Sequence, residues 1–369
     1  MKRSAETSHL LAEIYEQPAG VRATAEDHGI RDTLAHLAPH LAGIARILIA
    51  GTGTSRHAGV IAKFMLEGLA HIPTAVEFSS ELQYGSSLPG PDALVIVISQ
   101  SGETSDTVSA LRAARSAGAR VLAISNVSDA TMMADADYGL HTKCGPERSI
   151  PSTKAFTAQL TALYLLALTA ALARERLTAA EYDARLAELL EIPAKLERTL
   201  ENDALCRRLA GEAAGCEKFI YVGRGIHRGV ALDGALKFKE TTYRSAEAYA
   251  GGELWHGPLA TVDLSTALLL LAAHDARDPR SQPRYAQTLS NLRSLKGRAR
   301  TTIAIALQGD TAVEKAADLT VPVPATNEYL LPLLEIVPLQ LFAYYLAIQL
   351  GHDVDHPRNL TKAVLEERL

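Results

Sequence analysis

The chain has 369 residues, with 37 lysines and arginines against 42 aspartates and glutamates, a formal charge of −5, 47% apolar and 21% charged residues. That is apolar material for two cores of ordinary size; it excludes disorder, which goes with low hydrophobicity, and nucleic-acid binding, which goes with a basic excess. The three cysteines, Cys144, Cys206 and Cys216, have no C-x-x-C spacing, which excludes a disulfide framework and a cysteine zinc site and points to a reducing compartment.

Met1-Lys2-Arg3 is followed by Ser4, Glu6 and His9 instead of an apolar signal core, and residues 1–29 read as a periodic helical segment. A first domain, 30–173, opens with the apolar run Arg46 to Ala50 ending in Gly51-Thr52-Gly53. Further strand-like runs follow at Ala93–Ile98, Val121–Ser125 and Tyr138–Thr142, separated by helix-length segments such as Ser55–Ala70 and Thr104–Ala117. The domain closes on a long apolar helix, Thr153 to Ala173, whose nearly unbroken apolar stretch from Leu160 is 14 residues and short of the roughly 20 that span a bilayer. A charged helical linker, 174–208, leads to a second domain, 209–350, which repeats the pattern. Lys218 to Gly225 matches the opening run, Ala267–Leu271, Thr302–Ala306 and Leu319–Val323 match the others, and Tyr329–Leu350 is the second long helix. A tail, 351–369, ends the chain. The expected fold is α/β, two tandem domains, each a parallel sheet flanked by helices on both faces. A cytoplasmic location, with no membrane or nucleic-acid partner, is expected.

In such sheets, ligands sit beyond the carboxyl ends of the strands. There the first domain offers Thr52, Thr54 and Ser55 after its first strand, Ser99-Gln100-Ser101-Gly102-Glu103-Thr104 after its second, and Ser152-Thr153 before its long helix. Hydroxyls and free N–H groups at a helix N-terminus suit a phosphate, so phosphate binding is expected in the first domain. The second domain has Gly223-Arg224-Gly225 and Ala272-Ala273-His274 at the matching places. Neither Gly-x-Gly carries the third glycine of a dinucleotide fingerprint, no Walker A or H-E-x-x-H motif occurs, and the expectation is side-chain chemistry with no cofactor and no metal. Lys237 and Glu240 share a helix face at i, i+3, a spacing that also suits a solvent-facing ion pair. Ala246 to Pro258, carrying Glu253, Trp255 and His256 on a glycine-rich turn, reads as a site loop.

Eight segments together resemble a known family: Glu13 to Pro18, Gly53-Thr54-Ser55, Ser99 to Thr104, Ser152 to Phe156, Ala235 to Glu240, Ala246 to Tyr249, Glu253 to Pro258, and Asp353 to Lys362. In this order they are similar to the isomerase half of glucosamine-6-phosphate synthase, which is built from two sugar-isomerase (SIS) domains. The resemblance implies that Ser99, Gln100, Ser101 and Thr104, with Thr54, Ser55 and Ser152 nearby, hold the phosphate of a hexose or hexosamine 6-phosphate. It implies Glu240 as the base moving a proton between C1 and C2, His256 in ring opening, Lys362 as a Schiff-base lysine and Lys237 as the group managing charge at O1. It also implies a homodimer whose active site is shared, His256 reaching the neighbouring subunit.

The synthase's glutaminase nucleophile is a cysteine exposed after Met removal; Lys2 stands there and residues 1–29 alone precede the first domain, so no glutamine hydrolysis is expected. Leu365 to Leu369 replaces a shorter family ending, and Thr52, Trp255 and Pro151 are smaller departures. The leading expectation is therefore an isomerase/deaminase that converts glucosamine 6-phosphate to fructose 6-phosphate with release of ammonia. Alternatives are an isomerising aminotransferase using free ammonia or a separate glutaminase subunit, a deglycase of phosphorylated sugar–amine adducts, and a non-enzymatic sugar-phosphate sensor.

Overall fold

A computed structural model of the chain describes residues 8–82, 84–85 and 89–364. The tail residues Leu365 to Leu369, and Lys2 with the rest of the first seven residues, lie outside the described residues. Two five-stranded sheets are present, both wholly parallel. The first contains β1 (Arg46–Gly51), β2 (Thr74–Phe78), β3 (Ala93–Ile98), β4 (Arg120–Ser125) and β5 (Tyr138–His141) in the order β2-β1-β3-β4-β5. The second contains β6 (Lys218–Gly223), β7 (Ser245–Ala250), β8 (Thr266–Leu271), β9 (Thr301–Leu307) and β10 (Leu319–Val323) in the order β10-β9-β8-β6-β7. Read from either edge, this is one topology used twice.

Burial explains which strands a sequence can reveal. β3 and β8 are central, and all six residues of each are buried, so each reads as an unbroken apolar run. β2 and β7 are edge strands with one neighbour and partly exposed faces. No strand was expected at Thr74–Phe78, and Ala246 to Ala250 was expected within a loop; it is strand β7, and only the residues after it form turns. Ser245-Ala246-Glu247-Ala248-Tyr249-Ala250 pairs with β6 along its length although it carries no large aliphatic residue.

The two long helices are Lys154–Ala173 and Leu331–Gln349. The first extends beyond the 14-residue apolar run, to 20 residues, and by length and composition both helices could cross a bilayer. In each, however, 94% of the apolar window is buried within the protein, which accounts for a helix apolar on every side.

By contacts the chain divides into two units, one formed by residues 16–147, 152–191 and 361–369 around the first sheet, the other by 1–15, 148–151 and 192–360 around the second. The terminal segments and the linker do not stand apart in this division. Helix Ala179–Leu190 belongs to the first unit, while Ile192–Leu200 and Asp203–Ala213 belong to the second. In the second unit, Asp355 accepts from the N–H groups of His9 and Leu10, capping the first helix, and the buried Glu13 carboxylate accepts from Arg148 and Ser149.

Candidate active site

In the first unit, β1 and β3 are adjacent and end in register, Gly51 opposite Ile98, so the segments after them emerge side by side where the strand order reverses. The loop after β3 folds on its own hydroxyls. Ser99 Oγ lies 3.0 Å from Thr104 Oγ1 and 3.5 Å from Ser101 Oγ, and it accepts from Gly102 N–H at 3.1 Å; Ser101 Oγ accepts from Glu103 N–H at 3.2 Å. Gly102 has φ +69°, and a Cβ there would stand 2.5 Å from Ala130 Cβ, so only glycine lets the loop turn this tightly. Glu103 fixes the loop from behind by accepting from Thr131 N–H and hydroxyl at 2.6 and 2.8 Å. Helix Ser105–Ser116 then begins, with its dipole and first N–H groups at the loop.

Thr54 and Ser55 occupy the first turn of helix Gly53–Met65; both are buried, and Ser55 Oγ accepts from Gln159 of helix Lys154–Ala173 at 3.1 Å. The hydroxyls of Ser152 and Thr153 are buried without a hydrogen-bond partner. Buried polar atoms left without a partner in a native fold call for a missing partner. The Gln100 carbonyl accepts from Asn126 N–H.

Lys362 reaches the same unit. Its Nζ lies 2.6 Å from Glu147 Oε2, on a carboxylate with no exposed surface, whose Oε1 accepts from the N–H groups of Thr153 and Ala155 at 2.8 and 3.1 Å. Glu147 thus caps the long helix with one oxygen and holds the lysine with the other. Two residues on, the Val364 carbonyl accepts from Ser105 N–H at 3.1 Å, which brings the tail to the start of the loop's helix. Glu147 was not among the expected site residues. Nearby, burial pushes the Cys144 thiol up to about 12, a raise to which Glu147 adds, and the buried thiol donates to Asn126 Oδ1 at 3.0 Å.

In the second unit, Lys237 and Glu240 lie on helix His227–Thr242 with Nζ and Oε2 2.6 Å apart. The pair is not solvent-facing: the side chains are 4% and 19% exposed. His256 follows the short turn Glu253–Trp255 and is exposed, its ring without a hydrogen bond among the described residues, while the neighbouring Trp255 is fixed by Asn291 at 3.2 Å.

At the carboxyl end of the second sheet, where the first has its hydroxyl loop, charged side chains satisfy one another. The wholly buried His227 bonds Glu335 and Glu328, and Glu328 also takes Arg284 and the Ser281 hydroxyl. Burial opposes charge on His227, but Glu335 and then the bonds from both carboxylates raise its pKa above the ordinary value. Burial likewise opposes ionisation of Glu328, yet His227 and Arg284 hold it down at about 2. Charged side chains stand here in place of the hydroxyl loop, and Arg224 Nε, His274 Nδ1 and Glu335 Oε1 are buried without a hydrogen-bond partner, so the chemistry of this end differs from that of the first unit.

The SIS domain family profile matches residues 40–169 and 214–350. A glutamine–fructose-6-phosphate aminotransferase (isomerizing) of Caldanaerobacter subterraneus is 40% identical over 364 residues, which cover 97% of this chain and 59% of that protein. The chain thus spans about three-fifths of the length of such relatives. Among solved structures, the C-terminal domain of glucosamine-fructose-6-phosphate aminotransferase from Francisella tularensis superposes with a TM-score of 0.85 and 32% identity, covering 95% of this chain and 98% of that one. A glucosamine-6-phosphate deaminase from Thermotoga maritima shares the fold, with a TM-score of 0.72 and 20% identity over 97% of this chain and 99% of that one. With two family matches around two sheets of one topology, the chain belongs to the SIS-domain family, as a tandem pair of the kind that forms the isomerase half of glucosamine-6-phosphate synthase.

Proposed function

We propose that the protein is a sugar-phosphate isomerase/deaminase acting on glucosamine 6-phosphate and fructose 6-phosphate. The observation that carries this reading is the pairing of Lys362 with Glu147 in the unit that also holds the Ser99–Thr104 loop, because an amine-bearing tail docked beside an anion loop is what imine chemistry on a phosphorylated sugar requires. The phosphate is held by Ser99, Ser101 and Thr104 and by the N-terminus of helix Ser105–Ser116, with Gln100, Thr54, Ser55 and Ser152 completing the contacts.

Once the ring opens, with His256 as the proton-transfer group, Glu240 takes the C2 proton and returns a proton to C1. The enolamine between these steps carries charge at O1 that Lys237, already bonded to Glu240, can offset. The product is an imine at C2. Lys362 attacks that carbon through its amine, ammonia leaves, and water hydrolyses the lysine imine to release fructose 6-phosphate, so that glucosamine 6-phosphate and water give fructose 6-phosphate and ammonia. Glu147 is the base placed to accept the proton Lys362 sheds before it attacks.

The 40% identity to isomerising aminotransferases favours a second reading, the same steps run towards amination with free ammonia or a separate glutaminase. Purified protein is incubated with glucosamine 6-phosphate in one vessel and with fructose 6-phosphate plus ammonium or glutamine in others, and ammonia and both sugars are followed. Ammonia from the first supports the deaminase, net glucosamine 6-phosphate from the others supports amination, and turnover in none overturns both. Glu240→Gln is expected to abolish solvent exchange of the C2 proton and leave phosphate affinity unchanged; unaltered exchange removes Glu240 from the mechanism.

A further inference from the structure

Helix Lys154–Ala173 is buried almost throughout, and its threonines Thr157, Thr161 and Thr169 return their hydroxyls to carbonyls of the same helix at 3.1, 2.8 and 3.0 Å. Gln159, 2% exposed, does not turn back in this way. Its Nε2 crosses to the first turn of helix Gly53–Met65 and donates to Ser55 Oγ at 3.1 Å, while its Oε1 is buried without a partner. An unpaired buried amide oxygen lowers stability, so an apolar side chain of similar volume would serve better if filling space were the purpose. The amide N–H is the end in use. A serine hydroxyl has one proton to give and two lone pairs. Gln159 takes a lone pair, and among the described residues Ser55 Oγ has no other partner. The proton stays available to an acceptor beyond the carboxyl end of β1, and the bond that Ser55 accepts makes it a stronger donor.

The second unit holds the same chain of contacts with its acceptor in place. His227 stands four residues after the last residue of β6, as Ser55 does after β1. Glu335, in the first two turns of helix Leu331–Gln349, bonds His227 Nδ1 just as Gln159, in the first two turns of its own helix, bonds Ser55. The opposite ring nitrogen, Nε2, meets the Glu328 carboxylate at 3.3 Å. Long-helix residue, first-turn residue and anion thus follow one another. Glu328 lies just ahead of its long helix; Ser152, just ahead of the other, brings no charge, and its buried hydroxyl has no partner. In the first unit the series stops at Ser55.

We propose that Gln159 is a positioning residue that aims the Ser55 hydroxyl proton at the phosphate of the bound sugar, the anion whose place Glu328 takes in the second unit. The inference rests on the phosphate reading of the Ser99–Thr104 loop and adds to it a residue that acts only through Ser55.

A double-mutant cycle tests it, by calorimetric titration of the full chain with inorganic phosphate at about 0.2 M salt to screen diffuse attraction. Gln159→Met keeps the length of the side chain and removes both polar ends. It is expected to weaken phosphate binding about fivefold with the melting temperature unchanged or higher, Ser55→Ala to weaken it about tenfold, and the double variant to bind no more weakly than Ser55→Ala. With glucosamine 6-phosphate as substrate, KM is expected to rise about fivefold while kcat stays within about twofold. Wild-type affinity in Gln159→Met, an equal loss with and without Ser55, or a lower kcat at unchanged KM overturns the proposal. Gln159→Leu runs the same cycle if the methionine variant does not fold. A coupled loss in a protein whose affinity is unmoved by Ser99→Ala/Ser101→Ala upholds Gln159 and Ser55 and removes the loop; a wild type that binds no phosphate removes both.

Discussion

Lys362 and Glu147 are 215 positions apart in the chain and 2.6 Å apart in space. In the proposed mechanism Lys362 needs its amine neutral at the moment of attack, and the role proposed for the buried Glu147 carboxylate is to take that proton. Glu147→Gln keeps the size and one acceptor oxygen for the helix N–H groups while removing the charge. Its kcat is expected to fall by about tenfold or more and borohydride trapping of the imine to fall with it, whereas phosphate affinity stays within about twofold. An unchanged trapping yield would confine Glu147 to helix capping. The hydroxyl loop after β3 was legible in the sequence, because its small hydroxyl residues follow directly on a buried apolar strand. Glu147 was not: one glutamate in a loop carries no local pattern, and its role exists only once the tail has docked. The burial of Lys237 was hidden for a similar reason, since i, i+3 spacing is the same on a wet face and a dry one.

At the level of elements, the central strands and the long helices could be read from apolar runs, while β2 and β7 could not. Edge position alone is not the reason, since β5 and β10 are edge strands and were expected; Ser245–Ala250 differs in carrying small and polar residues and no large aliphatic one, where a central strand shows valine and isoleucine. Helix His227–Thr242 is held at its first turn by His227, which bonds Glu335 of helix Leu331–Gln349, and at its middle by Gly234, where a Cβ would lie 2.6 Å from Leu339. The ion network at the first turn gives a pH signature. Glu328 is depressed from 4.5 to about 2, so its contribution to stability is present above pH 4.5 and is lost as pH falls towards 2. His227 is raised above 6.5, so its contribution is full below that pH and is lost only as pH rises through the raised value. Melting temperature measured from pH 2 to 5 is expected to drop on the acid side, and Glu328→Gln to flatten that drop; parallel curves would show that the network does not govern acid stability.

For the whole molecule, the tandem architecture was plain from the repeat, but the assignment of the ends was not. Residues 353–360 belong to the second unit and 361–364 to the first, a split made by the Asp355 cap on one side and by Lys362 and Val364 on the other. Ending the chain after Leu360 is therefore expected to abolish imine trapping. Faster amide hydrogen exchange should be confined to the start of helix Ser105–Ser116 and to the stretch around Thr153 and Ala155, with β6 to β10 unaffected. Spread of the change through the second sheet would contradict that assignment. The covalent path also passes from one unit to the other five times. Neither unit is a single uninterrupted stretch, so one recombination breakpoint cannot excise either of them whole. A genome that shuffled this module into a new gene would have to carry the pair as a block, terminal strap included.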